Sequence, residues 1–197
     1  MKKIILLFIL IFFNTYLFAG KNTVPTLTDI LSIEKIDFYS GLGITAISSR
    51  DSKTSMDIFH IHGNQDRLGD ITLLIGDNLN EYVAFEFRYI RALQDEHRVE
   101  MSDISFFLKP QYRFKEDWTI YGLLGFGYVS LDAVNGNVAN YNDTSFQFGG
   151  GITYDIIENI ILFFDYIDLL SDANGLYWTG DKKVNVDGFT AGIIYKF

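Results

Sequence analysis

The chain ends on Val186-Asp187-Gly188-Phe189-Thr190-Ala191-Gly192-Ile193-Ile194-Tyr195-Lys196-Phe197. Every second residue back from the terminus is Phe197, Tyr195, Ile193, Ala191 and Phe189. The residues between them are Lys196, Ile194, Gly192, Thr190 and Gly188. A spacing of two puts the first set on one face of a strand and the second on the other. One face is apolar and aromatic; the other is mostly small or polar. The stretch therefore predicts a β-strand between two different surroundings.

The same alternation repeats upstream. Strand one, about 36–48, sets Phe38, Leu42, Ile44 and Ala46 against Gly41, Gly43 and Thr45. Strand two, about 68–77, aligns Ile71, Leu73 and Ile75. Strand three, about 81–91, sets Val83, Phe85, Phe87 and Tyr89 against Ala84, Glu86 and Arg88. Strand four, about 103–114, sets Ile104, Phe106, Leu108, Pro110 and Tyr112 against Ser105, Phe107, Lys109, Gln111 and Arg113. Strand five, about 118–130, sets Leu124, Phe126 and Tyr128 against Gly125 and Gly127. Strand six, about 144–156, sets Phe146, Phe148, Ile152 and Tyr154 against Gln147, Gly149, Gly151, Thr153 and Asp155. Strand seven, about 159–170, sets Ile160, Leu162, Phe164 and Tyr166 against Ile161, Phe163 and Asp165.

Connections alternate in length. Short turns rich in Asn, Asp and Glu fall near 78–80, 115–117 and 157–158,. Longer polar stretches occupy about 49–67, 92–102, 131–143 and 171–183. Tight turns on one side and long loops on the other are the pattern of a membrane barrel. An even strand number puts both ends of the barrel segment on the short-turn side.

Met1-Lys2-Lys3, the apolar run from Ile4 to Phe13, and the small residues Ala19-Gly20 have the three parts of a secretory signal peptide,. The apolar run is too short for a membrane helix, which needs about 20 residues. The expected organisation is a signal peptide over 1–19, a lead-in over 20–35 and a barrel over 36–197. Losing Lys2 and Lys3 with the leader leaves 14 basic and 25 acidic residues, a net charge of −11. That balance excludes nucleic acid as a partner, since it lacks clustered positive charge. With no cysteine, disulfides and thiol chemistry are excluded.

These features together resemble the small eight-stranded outer-membrane barrels of the OmpA/OmpX type, in the porin-like outer-membrane barrel family. The resemblance covers about 36–197 and ends on Tyr195-x-Phe197. It implies an all-β, antiparallel, up-and-down transmembrane barrel reached after signal cleavage, with both mature termini in the periplasm. It implies partners in outer-membrane lipid and lipopolysaccharide. It also implies that Phe189, Ile193, Tyr195 and Phe197 form the strand read by the barrel assembly machinery. A monomer is expected.

Candidate chemistry lies on the inward face. Glu86, Arg88, Lys109, Arg113, Asp155, Asp165 and Lys196 are expected there. In so narrow a lumen they read as a structural plug of paired charges, with a charge-gated ion path as the alternative. His60 and His62 alternate in the first long loop, and His97 sits in the second. They are read as loop polarity, so no metal or cofactor is expected. A lipid A-modifying enzyme needs a serine nucleophile set by a histidine, yet no His-x-Ser occurs and no strand carries a histidine. A soluble lipocalin-like barrel would turn the aromatic face inward. The expected role is structural or surface-interacting, through the long loops.

Overall fold

The computed structural model describes residues 37–51, 65–93, 99–133, 141–174 and 183–197. The chain divides into Met1–Ser32 and Ile33–Phe197, and all described residues lie in the second part. The expected signal peptide, the whole lead-in over 20–35, and the loop histidines His60, His62 and His97 lie outside the described residues.

Eight strands follow in order: β1 (Phe38–Asp51), β2 (Gln65–Asn78), β3 (Val83–Ala92), β4 (Val99–Lys115), β5 (Trp118–Ala133), β6 (Tyr141–Ile157), β7 (Ile160–Asn174) and β8 (Lys183–Lys196). Each pairs antiparallel with the next, and β8 pairs with β1 to close the barrel. Closure leaves no sheet edge, so ladder hydrogen bonds are satisfied within the sheet as a bilayer requires.

The strands are longer than their hydrophobic alternation at the long-loop ends: β4 starts at Val99 and β7 runs to Asn174. A backbone ladder does not need apolar side chains to continue. Polar hairpin ends therefore carry the sheet beyond the apolar band. The short turns sit near their expected places: 79–82, 116–117 and 158–159.

The register is staggered. Partners run from Phe38 through Asp77, Phe85, Leu108, Leu124, Phe148, Asp168 and Asp187 to Ser48. One circuit thus returns to β1 ten residues further along, the shear that tilts strands in a small barrel. Bulges in β4 near Phe114, in β6 near Ile156 and in β7 after Asp168 adjust the register,.

Facing follows the alternation. Phe126 is 64% exposed, Ile44 70% and Phe197 76%, and Phe85, Phe106 and Phe164 also face outward. Phe148 stacks on outward-facing Phe146, 6.4 Å between ring centroids. Aromatics mark both rims: Trp118 meets Tyr154 near the short turns, and Tyr128 and Tyr166 lie toward the long loops. This apolar outer surface excludes the inward-turned lipocalin arrangement.

The interior is more apolar than a lumen of glycine, threonine and charges. Leu74, Ile161, Phe163 and Ile194 cluster with Tyr39 and Ala84 toward the short turns. A larger cluster, including Ile47, Met101, Leu131 and Val186, extends toward the long loops. An eight-stranded interior has room for side chains only, so it packs as a core.

Glycines let the wall curve around this core. Gly192 faces Gly43 across the β1–β8 seam. A Cβ at Gly192 would lie 2.2 Å from the Leu42 carbonyl oxygen and 2.6 Å from Gly43 Cα. Those are backbone atoms, which cannot rotate away. Gly192→Ala is expected to destabilise the barrel by about 1–3 kcal/mol, seen as a lower urea midpoint for loss of the compact form on gels.

Candidate functional site

Four of the expected lumen charges meet at the centre of the barrel. On β3, Glu86 and Arg88 alternate with outward Phe85, Phe87 and Tyr89, so both point inward. Lys109 comes from β4 and Asp165 from β7. Arg88 Nε donates to Glu86 Oε1 at 2.6 Å, and its Nη2 donates to Asp165 Oδ2 at 2.7 Å. Lys109 Nζ donates to Glu86 Oε2 at 2.8 Å. Glu86 and Arg88 are fully buried.

Two tyrosines complete the arrangement. Tyr39 donates its hydroxyl to Glu86 Oε2 at 2.7 Å, and Tyr121 donates to Asp165 Oδ2 at 2.6 Å. Lys109 Nζ lies 4.3 Å from the Tyr121 ring centroid, and Arg88 Cζ lies 5.8 Å from that of Phe163. Two acids and two bases make the cluster neutral. It joins β1, β3, β4, β5 and β7. Strand parity was the signal for the tyrosines: each falls on the inward register of its strand, which sequence reasoning about charges did not use.

The remaining expected charges are elsewhere. Arg113 donates to Asp155 at 2.8 Å and to the Glu116 carbonyl at 2.6 Å, at the exposed short-turn rim. Lys196 makes no ion pair among the described residues. The terminal-strand residues face outward: Phe189 packs on Tyr166 at 5.0 Å, Tyr195 packs on Phe197 at 5.2 Å, and Ile193 is 52% exposed.

Further polar groups occupy the long-loop half. Asp103 accepts from Ser105 and from Gln147 Nε2. Thr45 bonds both Thr72 and Thr190. On the outward face, Asp187 accepts from Arg50 and from the Tyr166 hydroxyl, tying β1, β7 and β8 together beside the seam. Among the described residues no three His, Cys, Asp or Glu side chains are placed to hold a metal.

An apolar exterior, aromatic rims and a side-chain-filled interior define a small transmembrane β-barrel. The sequence model described as "Outer membrane protein beta-barrel domain" matches residues 24–197, and the chain belongs to that family. No curated protein matches it in sequence. Ail, the attachment invasion locus protein of Yersinia pestis, is similar in fold. It shares 17% identity over 83% of this chain and 100% of that one, with a TM-score of 0.57. Neisserial surface protein A gives 16% identity over 83% and 100%, TM-score 0.56. OprG of Pseudomonas aeruginosa gives 16% over 84% and 98%, TM-score 0.53.

Proposed function

We propose that this outer-membrane barrel has a closed lumen and acts as a structural and surface-interacting protein through its long loops. The observation that carries this is the filling of the lumen. Both apolar clusters are at most 5% exposed, and the charges between them are spent on one another. A bonded, desolvated charge cluster offers no continuous water path for an ion. In planar bilayers the expected result is no stable single-channel opening. Stable, nanosiemens-scale openings would favour the alternative, a narrow channel gated by Glu86, Arg88 and Lys109.

Export by cleavage after Ala19, periplasmic placement of both mature termini, and a monomeric state belong to the same reading. So does capture of the terminal strand by the barrel assembly machinery through Phe189, Ile193, Tyr195 and Phe197. The outward apolar band supports contact with lipid, and the polar strand ends above it support contact with lipopolysaccharide. One Ail structure carries the heparin analogue sucrose octasulfate. The acidic balance of this chain instead favours cationic or cation-bridged partners,. We also read the protein as a non-enzyme, because among the described residues no strand offers a histidine to activate a serine. Unchanged lipid A on overexpression is the matching expectation.

A further inference from the structure

We propose that Asp70 is a cation-uptake site in the long-loop half of the lumen, where the folded barrel takes up one positive charge, a proton or a small monovalent cation. Asp70 lies on the inward face of β2 and is fully buried. Neither of its carboxylate oxygens has a hydrogen-bond partner. Every other buried carboxylate among the described residues is held: Glu86 by Arg88, Lys109 and Tyr39; Asp165 by Arg88 and Tyr121; Asp103 by Ser105 and Gln147; Asp187 by Arg50 and Tyr166.

Among the described residues, the neighbouring strands supply no compensating charge. In register with Asp70 stand Thr45 on β1 and Ala92 on β3. The Thr45 hydroxyl is engaged with Thr72 and Thr190. Leu68, Ile47 and Ile90 line the same part of the wall. Among the described residues, the charged groups on nearby inward faces are Arg88 on β3, bound to Glu86 and Asp165, and Asp103 on β4, bound to Ser105 and Gln147. The central cluster is already neutral and Asp103 has two neutral donors, so Asp70 is the buried carboxylate left with neither a cation nor a donor among the described residues. Such a carboxylate is held only with a proton or a counter-ion. Threonine hydroxyls beside it would offer neutral oxygens to a small hard cation.

The test compares wild type and Asp70→Asn, an isosteric uncharged variant, as full-length barrels in detergent. The readout is the heat-modifiability midpoint on gels, between about pH 5 and pH 9, in sodium, potassium or N-methylglucamine chloride at equal ionic strength. If the ligand is a proton, the wild-type midpoint falls by about 5 °C or more relative to Asp70→Asn as pH rises, because the folded state holds more protons. If it is a metal cation, the wild-type midpoint rises with sodium or potassium but not with N-methylglucamine, and Asp70→Asn does not respond. Parallel curves for the two proteins in every condition would overturn the site. If Asp70→Asn does not fold, Asp70→Ser takes its place in the same comparison. A protonated-carboxyl infrared band or a small-cation dependence present in wild type and lost in the variant supports the site, and the lack of any difference overturns it.

Discussion

Arg88→Met is expected to lower the unfolding free energy of the barrel by about 3–5 kcal/mol, measured by urea titration of the refolded protein in detergent or lipid. The argument begins with what the substitution leaves behind. Arg88 is the link between the two carboxylates, donating to Glu86 and to Asp165. Without it, Glu86 keeps Lys109 and Tyr39, but Asp165 keeps only Tyr121. A buried carboxylate with one neutral donor is poorly compensated, and the methionine does nothing for it. The attraction among the four charges largely offsets their desolvation, so removing all four is a different experiment. The quadruple variant Glu86→Gln, Arg88→Met, Lys109→Met and Asp165→Asn leaves no unpaired charge and is expected to lose less stability than Arg88→Met alone. A loss under about 1 kcal/mol for Arg88→Met alone would mean that solvent reaches the cluster. That outcome would weaken the closed-lumen reading and strengthen the channel.

What was legible in the sequence was periodicity. Phe85, Phe87 and Tyr89 against Glu86 and Arg88 assign both faces of β3 from spacing alone, and the structure has the same facing. The outer ends of strands were less legible. Beyond Tyr128, β5 continues through Ser130 and Asp132 to Ala133, where the outward residues are polar and the inward Val129 and Leu131 apolar, so the alternation changes sense. The ladder continues because backbone groups, not side chains, make it. The pairing of the charges was also beyond reach. Glu86 and Arg88 are two residues apart, but Asp165 lies on a strand 77 residues away, brought near by closure and shear. The same stagger sends Arg113 and Asp155 to the rim rather than into the central cluster. Asp70 carries no sequence signal of its isolation, because a missing partner is a property of three dimensions. The apolar filling of the lumen was readable in part: Phe107, Ile161 and Phe163 stand on the inward register, and their bulk already argues against an open pore.

Leu124→Arg is expected to cost about 2–4 kcal/mol, whereas Thr144→Arg should cost about 0–1 kcal/mol. Both positions face outward and both are exposed to whatever surrounds the barrel. Leu124 lies between Trp118 and Tyr128, the two rim aromatics of its own strand, and is flanked in register by Leu108 and Phe148. Thr144 stands opposite Tyr128, at the rim itself. A guanidinium at Leu124 must be drawn into hydrocarbon or bend the lipid around it, while one at Thr144 reaches the headgroups directly. In water neither substitution would matter much, and an arginine on an exposed leucine would improve solubility. The comparison therefore reads depth rather than fold. Urea unfolding in lipid vesicles should show the strong asymmetry, and equal small effects at both positions would mean that the aromatic bands do not mark membrane boundaries. The terminal strand then joins the same scale at the opposite rim: Tyr195 is in register with Ile160 of β7 and Ser40 of β1, and the Phe197 N–H donates to the Phe38 carbonyl. An arginine at Tyr195 should resemble the one at Thr144 in its cost, because the bilayer grades charge by depth from both sides.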